Sequence, residues 1–161
     1  MSNNLSPPPN LLAATRQLNL SWALGWILIV SFTALSYLVG PIVILPPVQG
    51  IPAGTITLLL LVLSGIEIGA LSFVRGKILN GNNARLLRGQ APPTPVARYI
   101  SASFITSALT GGIAIHGLVA YLIDRFVWAP AVFAVLACLP LLYFRPDTGE
   151  LRRLLAKPPT G

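Results

Sequence analysis

Long runs of apolar residues, separated by short polar segments, dominate the pattern of this chain. The first uncharged run extends from Leu20 to Val39. At 1.5 Å per residue, a helix of that length crosses the roughly 30 Å hydrocarbon core of a bilayer. Three later runs have the same character, and the four predicted spans cover about residues 20–39, 53–74, 99–123 and 126–144. The pattern therefore predicts an all-α, polytopic membrane protein with four transmembrane helices.

The polar segments between these runs set the predicted organisation. Residues 1–19 are predicted to be a mobile or interfacial amino-terminal segment, in which Asn10 caps a short amphipathic stretch. Residues 20–144 form the transmembrane domain, and the tight connection Asp124-Arg125 joins its last two spans. Short connections favour antiparallel neighbours. We therefore expect two antiparallel hairpins, spans one–two and three–four, joined by the basic loop 75–98.

The carboxyl-terminal tail, residues 145–161, has a different pattern. Leu151, Leu154 and Leu155 follow helical spacing among basic residues, which predicts a short helix at the membrane surface. A basic membrane anchor is the favoured interpretation of this helix, and a docking site for a partner is the alternative.

Composition supports a lipid environment. Apolar residues make up 54% of the 161-residue chain, and charged residues only 9%, against roughly 25% in an average soluble domain. So few charges cannot cover the surface of a soluble protein. The single cysteine, Cys138, lies in an apolar run and excludes a disulfide framework within one chain.

The net charge of +7 has a topological explanation. Ten of the eleven basic residues fall on one side of the predicted spans, and only Arg125 falls on the other. Basic loops remain in the cytoplasm, so both termini and the middle loop are predicted to be cytoplasmic. A bacterial inner membrane is the expected location, because the chain lacks a transit-like leader. Membrane lipid is an expected partner, and nucleic acid is not. The ten residues are Arg16, Arg75, Lys77, Arg85, Arg88, Arg98, Arg145, Arg152, Arg153 and Lys157.

One acidic residue interrupts the second span. Glu67 lies close to mid-membrane, where an ionised side chain costs at least ~2.5–3.5 kcal/mol. It should therefore face protein or water, or be protonated. Two interpretations remain open: a carboxyl group that binds a proton or an ion, and a neutral carboxyl group that hydrogen-bonds to a neighbouring helix for specific packing.

The third span offers three candidate partners for Glu67. Counting along antiparallel spans places Thr106 and Thr110 at the same depth as the carboxyl group. His116 is expected about 8–10 Å nearer the outer surface, so that a direct pair with Glu67 requires helix tilt, a register offset or a second subunit. A proton-relay role for His116 is the alternative to a packed, neutral imidazole.

Small residues repeat at helical spacing on the second and third spans. Such faces let two backbones approach closely and gain dispersion contacts. Packing within the chain is the favoured interpretation, and a contact between subunits is the alternative. On the third span the face contains Ser103, Ser107, Thr110, Gly111, Ala114 and Gly117; on the second it contains Gly65 and Gly69, extended by Ser72 and Gly76.

The residues needed for most catalytic sites are missing from the pattern. We find no metal-ligand spacing, no glycine-rich phosphate loop and no nucleophile near a base, so no enzyme activity and no cofactor are expected. The leading hypothesis is a structural or accessory membrane subunit that packs against itself or against a larger complex. The alternative is a proton- or cation-linked transport element that uses Glu67.

The stretch Ala108-Leu-Thr-Gly-Gly-Ile-Ala-Ile-His-Gly-Leu-Val119 resembles the second helix of rotary-ATPase proteolipid subunits, whose pattern is Ala-Leu-x-Glu-x-x-Ala-Ile-Tyr-Gly-Leu-Val. Gly111 occupies the position of that family's ion-binding carboxylate, and His116 that of its tyrosine. The resemblance therefore implies a similar helix without the ion-carrying function. Residues 20–146 as a whole resemble small four-span bacterial membrane proteins of uncharacterised function, whose fourth span ends in Arg-Pro, here Arg145-Pro146.

Overall fold

The computed structural model describes residues 9–43, 50, 52–79 and 94–156. Within them the chain forms five helices and no strand. The helices are α1 (Pro9–Val39), α2 (Thr55–Leu79), α3 (Pro95–Asp124), α4 (Ala129–Tyr143) and α5 (Thr148–Ala156).

Three of these helices, α1, α2 and α3, are long and apolar enough to cross a membrane. Helix α4 has 15 residues, about 22 Å at helical rise, and is shorter than the roughly 30 Å hydrocarbon core. It becomes a fourth candidate span only together with α5, to which it is joined at a bend of 42°. The described part of the chain is thus all-helical, as predicted, with three to four helices that are long and apolar enough to span a membrane.

Helix α1 is longer than the first predicted span. It begins at Pro9 and includes both Asn10 and the stretch expected to lie separately at the membrane surface. The extension is stabilised by a small hydrophobic core, in which Ala14 and Leu18 are buried against Tyr99 and Leu151. The predicted mobile start, residues 1–8, lies outside the described residues.

Local signals explain both ends of α3. Thr94 caps its amino terminus by accepting a hydrogen bond from the backbone N–H of Ala97 at 3.2 Å, and Pro95 occupies the first turn. At the other end Arg125 adopts a left-handed conformation, with φ of 57°, and its backbone N–H donates to the Tyr121 carbonyl. The Arg125 guanidinium also donates to the Gly40 and Val43 carbonyl oxygens at 3.0 Å each. Arg125 therefore connects the end of α1 to the end of α3.

Helix α3 is the centre of the bundle. Helices α1, α2 and α4 all pack along it, whereas α1 and α2 share no close backbone contact among the described residues. The predicted arrangement of two hairpins is therefore not confirmed. Helix α2 packs on α3, which follows it in sequence, and not on α1, which precedes it.

Contacts along α3 define the helix directions. Helix α1 runs parallel to α3, because the Ser107 hydroxyl donates to the Ser21 carbonyl just before the middle of both helices and Arg125 reaches Gly40 at their carboxyl-terminal ends. Helices α2 and α4 run antiparallel to α3, so their carboxyl-terminal ends lie beside its beginning. The described basic residues other than Arg125 consequently occupy one end of the bundle, called here the basic end: Arg16, Arg75, Lys77, Arg98, Arg145, Arg152 and Arg153.

Candidate intramembrane site

A polar cluster at mid-length of α2, where that helix packs on α3, is formed by Glu67, Ser64 and His116. Glu67 lies at the midpoint of α2, Ser64 lies almost one turn before it on the same side of the helix, and His116 projects from α3. The Ser64 Oγ is 2.9 Å from the His116 Nδ1, within hydrogen-bond distance. The Glu67 Oε2 is 3.8 Å from the same nitrogen, an ion-pair distance when the imidazole is protonated.

The Glu67 carboxyl group is incompletely satisfied. Its Oε2 atom is buried and has no hydrogen-bond partner among the described residues. A separation of 3.8 Å is too long for a hydrogen bond to His116, so the imidazole nitrogen is instead bonded to Ser64. Buried polar atoms without partners are uncommon in proteins. Among the described residues the Trp22 and Trp26 indole nitrogens and the Ser103 hydroxyl also lack one, and Glu67 is the one ionisable group of this set.

Apolar residues surround the cluster. The His116 ring meets the fully buried Phe133 ring edge to face, with centroids 6.2 Å apart. The side chains of His116 and Glu67 are 15% and 25% exposed. The carboxyl group therefore lies at the edge of the interface between α2 and α3, not in the bundle centre.

Among the described residues, neither Thr106 nor Thr110 forms a hydrogen bond with Glu67. The Thr106 hydroxyl donates to the Ala102 carbonyl at 2.8 Å and accepts from Arg75 at 3.3 Å. The Thr110 hydroxyl donates to the Ser107 carbonyl at 2.9 Å. The structure thus places His116, and not either threonine, beside Glu67.

The register between α2 and α3 explains this difference from the predicted depths. The Asp124 carboxylate accepts from both the backbone N–H and the hydroxyl of Thr57, each at 2.7 Å. This contact aligns the start of α2 with the end of α3. Glu67 lies ten residues after Thr57 and His116 eight before Asp124, so a two-residue offset, about 3 Å at helical rise, separates them along the axis.

Sequence reasoning missed two polar residues of the bundle, Ser64 and Arg75. Ser64 is fully buried. It lies three residues before Glu67, and this spacing indicates that both side chains lie on the same side of α2. Arg75 was counted only as a loop charge, yet α2 continues through it and its side chain is 8% exposed. The Arg75 guanidinium lies over the rings of Tyr99 and Phe144, at 5.7 and 4.9 Å from their centroids.

The small residues of α3 are used inside the chain. Ser103, Ser107, Thr110, Gly111, Ala114 and Gly117 are all buried. A Cβ added to Gly111 would lie 2.7 Å from Leu28 of α1, and one added to Gly117 would lie 2.9 Å from Phe133 of α4. Helices α1 and α4 therefore fill this face.

The small residues of α2 have no such neighbours. A Cβ added to Gly65, Gly69 or Gly76 meets no atom within 4 Å in the described part of the chain. Gly65 and Gly69 are exposed. Both are two residues from Glu67, about 200° around the helix, so they lie on the opposite side of α2. We call Gly65, Gly69 and Gly76 the open glycine face.

Glu67 and His116 are close enough to share one proton. One proton shared by Glu67 and His116 gives a net neutral pair, whichever group carries it, so such a pair tolerates an apolar environment. Among the described residues, no group of three or more His, Cys, Asp or Glu side chains is placed to hold a metal ion.

Comparisons with family models, with curated proteins and with solved structures find no match to this chain. The two resemblances noted in the sequence receive no support from these comparisons. Function must therefore be argued from the helices and the side chains themselves.

Proposed function

We propose that this protein is a non-catalytic membrane subunit that assembles, with further copies of itself or within a larger membrane complex, through the open glycine face of α2. The observation that carries the proposal is the contrast between two sets of glycines. Gly111 and Gly117 are covered by the chain's own side chains, whereas Gly65 and Gly69 have open space at the position of a Cβ.

The physical reason lies in how helices associate in lipid. Apolar side chains gain little by leaving lipid for protein, so close backbone approach and dispersion contacts drive association. The open glycine face provides a shallow groove for that approach. Val62, Ile66 and Phe73, which are 57%, 62% and 63% exposed, flank this groove and offer side chains to a partner helix.

The test uses leucine substitutions that fill the groove. Gly65→Leu and Gly69→Leu place their Cβ atoms in open space within the described chain, and their side chains should block close approach of a second helix. We expect the cross-linked fraction in native membranes to fall by about tenfold, the effect of losing roughly 1–2 kcal/mol of helix association. Gly112→Leu is the matched control, because Gly112 on α3 also has open space around its Cβ position.

Two outcomes contradict the assembly proposal. The first is wild-type protein that runs as a lone monomer in mild detergent and captures nothing on cross-linking in native membranes. The second is an unchanged cross-linked fraction in both leucine variants.

A second candidate function is proton- or cation-linked transport centred on Glu67. The observation that favours it is the buried Glu67 Oε2, which has no hydrogen-bond partner among the described residues and lies 3.8 Å from His116. Ionisable groups inside membrane helices commonly mark ion and proton pathways. Glu67 and the open glycine face lie on opposite sides of α2, so the two functions are separable by mutation.

Flux measurements in reconstituted vesicles test the transport candidate. We expect Glu67→Gln to abolish proton or sodium flux. Among the described residues, Glu67 carries the only carboxyl group in the central turns of the three long apolar helices, and this substitution removes it. Glu150→Gln, at an exposed position of α5, should leave the flux unchanged. Absence of flux in wild-type vesicles, or equal flux in the Glu67 variant, removes this candidate.

For the membrane itself, we propose a bacterial inner membrane with the basic end in the cytoplasm. The clustering of the described basic residues at one end of the bundle supports this orientation, because basic segments are retained on the cytoplasmic side. Both termini would then be cytoplasmic.

A further inference from the structure

A half-open cavity of about 390 Å³, lined by both polar and apolar groups, lies at the basic end, and neither proposed function uses it. Its volume is within the range of small-molecule sites, roughly 300–1,000 Å³. The cavity lies where the beginning of α1 meets the connection between α4 and α5. It is lined by Asn19, Trp22, Arg145, Pro146, Asp147 and Thr148.

Two opposite charges face this cavity without neutralising each other. The Arg145 guanidinium lies over the Trp22 ring, 5.6 Å from its centroid. No ion pair joins Arg145 or Asp147 to another side chain in the parts of the chain that are described. Stacking on an aromatic ring leaves the edge N–H groups of a guanidinium available, and these groups match the oxygens of a phosphate.

Asp147 is held in position by the backbone around it. Its backbone N–H donates to the Tyr99 hydroxyl at 2.9 Å, and its Oδ1 accepts from the Gly149 N–H at 2.8 Å. The carboxylate retains further lone pairs that can accept hydrogen bonds. The cavity thus has one cationic side and one anionic side, and both charged residues are exposed.

The depth of the cavity matches the edge of a bilayer. Asn19 immediately precedes the first uncharged run, and Arg145 follows the end of α4. Trp22 is an amphipathic residue of the kind that settles at headgroup depth. A ligand at this level therefore has access from the lipid headgroup region.

We propose that this cavity binds the headgroup of a zwitterionic phospholipid that carries a primary amine, as in phosphatidylethanolamine. Arg145 binds the phosphate and Asp147 accepts hydrogen bonds from the ammonium group. A purely anionic headgroup brings no cation to Asp147, so hydroxyl groups can donate to the carboxylate only without charge neutralisation. A choline headgroup has no N–H to donate, so its interaction with Asp147 is weaker.

The test is lipid titration of the full chain in mild detergent, followed by native mass spectrometry. Phosphatidylethanolamine, phosphatidylcholine and phosphatidylglycerol are the three probes. We expect the first lipid bound to be phosphatidylethanolamine, with about a tenfold preference over each of the others, the size of effect given by one charge-assisted hydrogen bond. Equal retention of the three lipids overturns the proposal.

Variants then test the separate roles of Arg145 and Asp147 in lipid binding. Arg145→Gln should lower retention of phosphatidylethanolamine by about tenfold. Asp147→Asn keeps an oxygen that can accept from Gly149 and should bring phosphatidylethanolamine and phosphatidylcholine to equal retention. If the Arg145 variant does not fold, the Asp147 variant alone decides. The control is Arg152→Gln on α5, an exposed position outside the cavity lining.

Two further results contradict the assignment. An Arg152→Gln effect as large as that of Arg145→Gln indicates diffuse attraction to the basic end instead of a site. Binding of soluble phosphoethanolamine without any retention of phosphatidylethanolamine assigns the cavity to a free metabolite and overturns a lipid ligand.

Discussion

Four charged residues in or near the apolar helices are accommodated in different ways. Asp124 accepts from Thr57, Arg125 donates to carbonyl oxygens of the α1 terminus, and Arg75 packs between aromatic rings. Glu67 differs from these three, because one of its oxygens is buried without a partner among the described residues. A structural role explains the first three charges in full, whereas Glu67 is only partly explained by packing.

Substitution of Arg75 tests whether the aromatic rings around it stabilise its buried charge. Its planar guanidinium stacks on Tyr99 and Phe144 while donating to Thr106 at 3.3 Å. A lysine ammonium cannot contact both rings and Thr106 in this geometry. We therefore expect Arg75→Lys to lower the free energy of unfolding by about 1–2 kcal/mol, the value of a desolvated cation–π contact.

Unfolding of the purified protein in mild detergent, followed by circular dichroism, measures this effect. Arg152→Lys is the matched control, because Arg152 is exposed on α5. Equal unfolding midpoints for the Arg75 variant and the control would show that the two aromatic rings do not stabilise the guanidinium.

At the scale of helices, the two glycine sets predict opposite responses to the same substitution. An alanine Cβ at position 117 would lie 2.9 Å from the Phe133 Cβ and 3.1 Å from the Pro130 Cα, so α3 and α4 must separate. Overpacking of this kind costs about 1–3 kcal/mol. Gly117→Ala should therefore lower stability by that amount.

Gly65→Ala is the paired experiment on α2. Its Cβ enters open space, and alanine favours the helix over glycine by up to ~1 kcal/mol. We expect unchanged or slightly higher stability of the single chain in detergent. Loss of stability in both variants to the same degree would contradict the distinction between a filled face and an open one.

Hydropathy predicted the existence of the helices well, because long uncharged runs have few alternatives in a chain with so few charges. It did not predict the boundaries of α1, whose first turns are stabilised by burial of Leu18 against Tyr99 and Leu151. Nor did it predict helix pairing. An apolar run indicates insertion into a membrane, but not which neighbour a helix packs against.

The candidate site shows the same limit. Glu67 was recognisable from the sequence because an acid in an apolar run is costly. Its neighbour His116 was not recognisable. The depth of each residue was counted from the loops, and this count does not include the register between α2 and α3 that the contact of Asp124 with Thr57 fixes. Ser64 remained unnoticed, since a single serine in a membrane helix is commonly bonded to its own backbone.

At the scale of the whole molecule, helix directions and charge agree. Helices α1 and α3 run one way and α2 and α4 the other, which gathers the described basic residues other than Arg125 at one end. That distribution supports a bilayer lying across the bundle, with the connection between α3 and α4 on the opposite side. The proposed lipid site and the proposed orientation both depend on this placement.

Side-specific cysteine labelling tests this placement most directly. In a Cys138→Ala background, Trp128→Cys marks the connection between α3 and α4, and Arg153→Cys marks the basic end; both positions are exposed. A membrane-impermeant maleimide is applied to sealed right-side-out and inside-out vesicles. Our account predicts that position 128 reacts only in right-side-out vesicles and position 153 only in inside-out vesicles. Reaction of both positions in the same vesicles would contradict it.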